Sequence, residues 1–144
     1  MQIIMQDQVQ EKIIIIRNQK VIVDADVAEL YGVETKRINE AVKNNPEKFP
    51  KGYLFNLNKQ EKDELVENFD RFKKLKHSSV SLKVFTEKGL YMLATILKSP
   101  KAVETTLAII DTFAKVRELN RAVHQIQSLR QENKSSYIKK WTSR

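Results

Sequence analysis

Cysteine is absent from the 144 residues, which excludes disulfides, thiolate catalysis and cysteine-ligated zinc or iron–sulfur centres. Glycine and proline are scarce, three of each. Gly32, Gly52 and Gly89 stand too far apart to form a GxGxxG or GxxxxGK phosphate loop. The two histidines, His77 and His124, are isolated, with no HExxH-type partner and no acid at catalytic spacing. No apolar run approaches the roughly 18 to 20 residues that a membrane span needs. Asp7 interrupts the N-terminal segment before an apolar core of signal-peptide length forms. These absences predict a cytoplasmic chain that is not an enzyme, with no catalytic residue, metal site or cofactor.

What is present is length enough for one core, 41% hydrophobic residues, 31% charged residues and a net charge of +8. The charge is uneven: residues 1–70 carry −3 and residues 71–144 carry +11. An anionic partner suits such asymmetry, nucleic acid more than a membrane surface, since no long helix pairs a basic face with a bulky aromatic one.

The patterning predicts an α+β fold, mostly helical, with a small antiparallel sheet of short strands and a long C-terminal helix. IIII and KVIV, within residues 12–23, read as a hairpin turning around Asn18-Gln19. Asp24 is placed to cap a first short helix, Gly32 to end it, Thr35 to start a second and Pro46 to close that one. Tyr53 to Leu57 is a strand candidate, and Asn58 with Glu61 has capping-box spacing before an exposed polar helix. Residues 70–83, DRFKKLKHSSVSLK, have no helical period and read as a mobile loop or hairpin arm. A last short strand at Lys83 to Phe85 precedes a helix capped by Thr86. Ser99-Pro100 opens another helix with no breaker before Lys134.

The helix–turn–helix stretch bears most directly on function. Ala28 supplies a small residue at the helix crossing, Gly32 a turn residue tolerant of positive φ and Ile38 a buried aliphatic. The outward face of the second helix then carries Thr35, Lys36, Arg37, Asn39, Glu40, Lys43 and Asn44. Lys or Arg can pair with guanine, Asn with adenine and Glu with cytosine in a major groove. A solvated amphipathic helix has the same pattern. Arg71, Lys73, Lys74, Lys76 and Lys83 form a second basic group suited to phosphate, or else a solvated loop. On the long helix Ile109, Val116 and Val123 fall seven apart, with Thr112, Leu119 and Ile126 interleaved, the a/d pattern of a homodimeric coiled coil. Packing on the chain's own domain is the alternative. Asp24/Asp26 and Asp63/Glu64 read as helix-start and solvated-face acids.

The ordered phrases VAELYGVETKRINE, KFP, FTEKGLYML and KVRELN closely resemble those of the phage and bacterial ORF-six N-terminal domain, a relative of the KilA-N and Bro-N domains. The resemblance spans roughly residues 13–120. It implies a DNA-binding domain of phage and prophage regulators, antirepressor-like proteins among them, and points to Thr35, Lys36, Arg37 and Asn39 as groove-facing. Before the FTE phrase this chain has FDRFKKLKHSSVSLK, where the family usually carries a Gly-Gly-Arg-like, aromatic-rich stretch. The expected division is a leader over 1–12, the DNA-binding domain over 13–120, and a helix extension with a basic tail over 121–144. Double-stranded DNA is the expected partner, with a repressor protein as the alternative.

Overall fold

A computed structural model describes the backbone of residues 2–142 and the side chains of residues 6–130. The elements are α1 (Gln2–Lys12), β1 (Ile14–Ile16), β2 (Gln19–Val23), α2 (Asp24–Tyr31), α3 (Thr35–Asn44), a 3-10 turn (Pro46–Lys48), β3 (Leu54–Asn56), α4 (Lys59–Asn68), a 3-10 helix (Asp70–Leu75), β4 (Lys83–Thr86), α5 (Glu87–Ala94) and α6 (Pro100–Thr142). The four strands form one antiparallel sheet in the order β1-β2-β4-β3. The fold is therefore α+β, as the sequence predicts.

Alternation along the strands divides the interior in two. Val21, Val23 and Val84 face a cluster with Leu65 and Val66 of α4 and with Phe72. Ile22 and Phe85 face the larger cluster, built from α1, α2, α3, α5 and α6. The sheet is thus covered on both sides, and each fully buried aliphatic contributes about 1.5–3 kcal/mol.

The hairpin turns one residue earlier than expected. Ile16 pairs with Gln19, so the two loop residues are Arg17 and Asn18, at φ 54° and 60°. Two positive φ angles match the sheet's twist, and Asn tolerates that region where Arg does not. Arg17 is held there from outside the hairpin. Its guanidinium meets Glu61 of α4 at 2.8 and 2.9 Å and lies 4.3 Å from the centre of the Phe55 ring.

Three predicted helix starts hold. Asn58 and Glu61 form a reciprocal capping box, with bonds of 2.8 and 2.9 Å. Thr86 caps α5, and Ser99 Oγ accepts from Ala102 N–H at the start of α6. Gly89 matters at the Thr86 junction for a steric reason: a Cβ there would sit 1.9 Å from the Tyr53 carbonyl oxygen. α5 can approach β3 this closely only without a side chain.

Three expectations are corrected. Residues 2–12, pictured as a leader, form a helix against α6, with Val9 fully buried and the Gln6 carbonyl 3.5 Å from Thr112 Oγ1. Residues 70–83 are no free arm: Phe72 and Leu82 are buried, and Lys62 donates to the carbonyls of Ser78 and Val80. Ile109, assigned to a dimer seam, is 1% exposed inside the chain's own core. The long helix itself runs further than foreseen, 43 residues, on the order of 65 Å. Among the described residues, no helix is long and apolar enough to cross a membrane.

Candidate nucleic-acid interface

α2 ends where Gly32 adopts the left-handed conformation, φ 69°. The Gly32 N–H bonds to the Glu29 carbonyl at 3.1 Å, and the Val33 N–H reaches back to Ala28 at 2.9 Å, which is the Schellman closure that satisfies the last carbonyls of a helix. Three residues later Thr35 opens α3, with the Arg37 N–H on the Glu34 carbonyl at 2.9 Å. Ala28 is 2% exposed at the helix crossing. Ile38 and Ala41, fully or almost fully buried, fix the rotation of α3 about its axis.

That rotation decides what the outer face presents. With 3.6 residues per turn, burying Ile38 and Ala41 turns Lys36, Glu40 and Lys43 straight out, with Arg37 and Asn44 on one shoulder. All five are exposed, and among the described residues none of the four charged ones forms an ion pair. Thr35 and Asn39 fall on the opposite shoulder and are half-buried. Asn39 turns toward Asp24 rather than outward, and its Oδ1 is buried without a hydrogen-bond partner.

The shoulder beside Asn39 is acidic at its base. A hollow of about 600 Å³ there is bordered by Asp24, Asp26, Glu29, Glu34 and Asn39, with Arg71 and Lys74 as its cations. Asp24 and Asp26 stand in the first turn of α2, as expected of helix-start acids, but are only 2% and 3% exposed, and Val23 rather than Asp24 takes the cap position. Asp26 takes a two-pronged contact from Arg71, at 3.0 and 3.2 Å, and a longer one from Lys12 at 3.8 Å. Burial pushes both carboxyls above their ordinary range. It is opposed at Asp24 by the Ala25 N–H and Asn39, and at Asp26 by Arg71 and then Lys12. Asp63 and Glu64 are exposed, as expected.

The second basic group is dispersed by these contacts. Arg71 is spent on Asp26 and lies 4.6 Å from the centre of the Phe72 ring. Lys73 pairs with Asp70 at 2.9 Å, and Lys73, Lys76 and His77 share a hollow with Asp63 and Glu67 of α4. Lys83 sits half-buried on β4, where its charge opposes, without overcoming, the rise that burial gives the Asp24 pKa. Among the described residues, no three His, Asp or Glu side chains stand together as a metal site would require. Sequence reasoning missed the Arg71–Asp26 and Arg17–Glu61 pairs, whose partners lie 45 and 44 residues apart with no local signal joining them.

A raised carboxyl pKa is a stability statement with a definite sign. Its contribution is present in acid, where the native state holds the proton, and is lost as pH rises through the raised pKa. Asp24→Asn removes the charge and keeps the shape. In thermal melts the variant should gain on the wild type more at about pH 7 than at about pH 4.5. An equal difference at both pH values would contradict the effect of burial.

No curated protein and no solved structure matches this chain. Residues 11–96, which run from the end of α1 through the hairpin, the α2–α3 pair and the sheet to the end of α5, match the ORF6N domain. More than half of the sequence is covered, and the chain belongs to the phage-associated ORF6N domain family.

Proposed function

We propose that the protein is a DNA-binding transcriptional regulator of phage or prophage type that reads a major groove with α3. The observation that carries this reading is the outer face of α3. Lys36, Arg37, Glu40, Lys43 and Asn44 stand exposed, the four charged ones without ion-pair partners among the described residues, on a helix whose rotation is fixed by buried Ile38 and Ala41. Stability does not require so many unpaired polar groups on one rigid face, whereas recognition of base edges does. Thr35 and Asn39 have a supporting part here, lining the shoulder of α3 and leaving the outer five to meet the groove. Antirepressor-like binding of a repressor protein is the competing role, and it calls for no salt-dependent affinity for DNA.

The second part of the reading is a homodimer through α6. Ala102, Thr105, Ala108, Ile109 and Thr112 are buried on one face of this helix. The same face continues, past the last of these, through Val116, half-buried, to Leu119, Val123 and Ile126, each about half exposed at 50%, 52% and 50%. A second copy of the helix would cover those side chains at heptad spacing and would place two α3 helices for a two-fold operator. The seam therefore starts at Val116, with Ile109 inside the core. Tyr137 and Trp141 of the basic tail lie outside the residues whose side chains are described.

Lys36→Ala with Arg37→Ala should weaken specific DNA binding by at least about tenfold, since a good base contact carries roughly 1–3 kcal/mol. Thermal stability should change by only about 0.5 kcal/mol, as for most surface sites. Titration of a selected duplex checks this, and unchanged affinity would remove α3 from the groove. Leu119→Asp with Val123→Asp should halve the mass seen by light scattering, and a monomeric wild type would reject the seam.

A further inference from the structure

The shoulder of α3 opposite Asn39 has the reverse electrostatics. Arg37 there shares a hollow of about 220 Å³ with Val33, Lys98 and Ser99. Lys101 lies over the α2–α3 turn: a Cβ built on Gly32 would stand 3.1 Å from its Cε and 3.6 Å from its Nζ. Beyond the other end of α3, in the 3-10 turn, Lys48 donates to Thr95 Oγ1 at 2.9 Å. The segment from Thr95 to Ser99, joining α5 to α6, and the first turn of α6 with Lys101 therefore run along the flank of α3. They bring two exposed lysines to a shoulder that already holds Arg37. Among the described residues, neither Lys98 nor Lys101 forms an ion pair, and the acids nearest to them in sequence on either side are Glu104, one turn into α6, and Glu87 in α5.

A helix lying in a major groove has a phosphate strand along each flank. On the Asn39 side the strand would meet the exposed Glu29 and Glu34, above the buried Asp24 and Asp26, and the cations there, Arg71 and Lys12, are already engaged by Asp26 and Glu29. On the Arg37 side it meets cations carried by two separate elements. We infer that Lys98 and Lys101 bind backbone phosphates of duplex DNA and form the main electrostatic anchor of the α3 shoulder, in place of the Arg71 to Lys83 group. This rests on the reading of α3 as the groove helix. It also accounts for DNA binding by a chain whose first 70 residues are net acidic: the compensating charge arrives from beyond residue 94.

The test compares the full-length wild type with Lys98→Gln/Lys101→Gln, which keeps much of each aliphatic stem, and with Lys73→Gln/Lys76→Gln, which removes the same charge beside Asp63 and Glu67. Each binds a mixed-sequence duplex of about 20 base pairs between about 50 and 200 mM salt, and its melting temperature is recorded. Loss of two phosphate contacts should lower the slope of log affinity against log salt by about 1.8 in the first variant and leave the second near wild type. An unchanged slope in the first variant overturns the inference, and so does an equal fall in both variants, which would mark a general charge effect. A wild type that does not bind duplex at low salt is a different result, the failure of the α3 reading itself, and it removes the anchor with it.

Discussion

Asp26 is a nearly buried carboxylate that joins three parts of the chain otherwise far apart in sequence. It receives Arg71 from the 3-10 helix and Lys12 from the end of α1, while standing in the first turn of α2. Removing any one partner would leave charge uncompensated in a poorly solvated place, a larger penalty than an exposed pair carries. Much else follows from this contact. It docks the end of α1 beside α2, and it draws the 70–75 segment inward with Phe72 beneath it. It also sets the charge of Arg71, whose side chain stays partly exposed, against a carboxylate. The carboxyl's raised pKa is the cost of burial that Arg71 offsets only in part.

With α2 held from one side by that contact, α6 braces it from the other. Tyr31 Oη and Thr106 Oγ1 are 2.8 Å apart, and Thr105 Oγ1 donates to the Leu30 carbonyl at 3.3 Å. α3 then leaves a rigid support through a turn whose geometry is set by Gly32 and has its rotation fixed by Ile38 and Ala41. The result is a helix with two unlike flanks, one where acids and cations are paired around Asp26 and one where Arg37, Lys98 and Lys101 stand without ion-pair partners among the described residues. Such a field orients a polyanion as well as attracting it.

The legible part of the fold is the part governed by short-range chemistry. The Asn58–Glu61 box, the Thr86 and Ser99 caps and the Gly32 closure each involve residues within five positions of one another. The hairpin was legible as a hairpin, but its turn shifts to Arg17 because Glu61 and Phe55, remote in sequence, hold an otherwise unfavourable conformation. Helix α1 escaped notice because its apolar residues form no single stripe and only a tertiary contact buries Val9. The heptad of α6 was ambiguous for a physical reason: one apolar face serves first as core, at Ile109 and Thr112, and then as open surface, at Leu119 and Val123. In the candidate site the outer residues of α3 were readable from period alone. Asn39 and Arg71 were not, since each meets an aspartate that sequence spacing does not pair with it.

In the function proposed above, α3 reads base sequence. The most direct measurement is selection of the full-length protein on a pool of random duplex DNA, with sequencing of what is retained at about 200 mM salt, where purely electrostatic binding is weak. The account predicts an enriched motif, arranged as an inverted repeat if α6 forms the dimer. Retention that vanishes at this salt without any enriched sequence would contradict it.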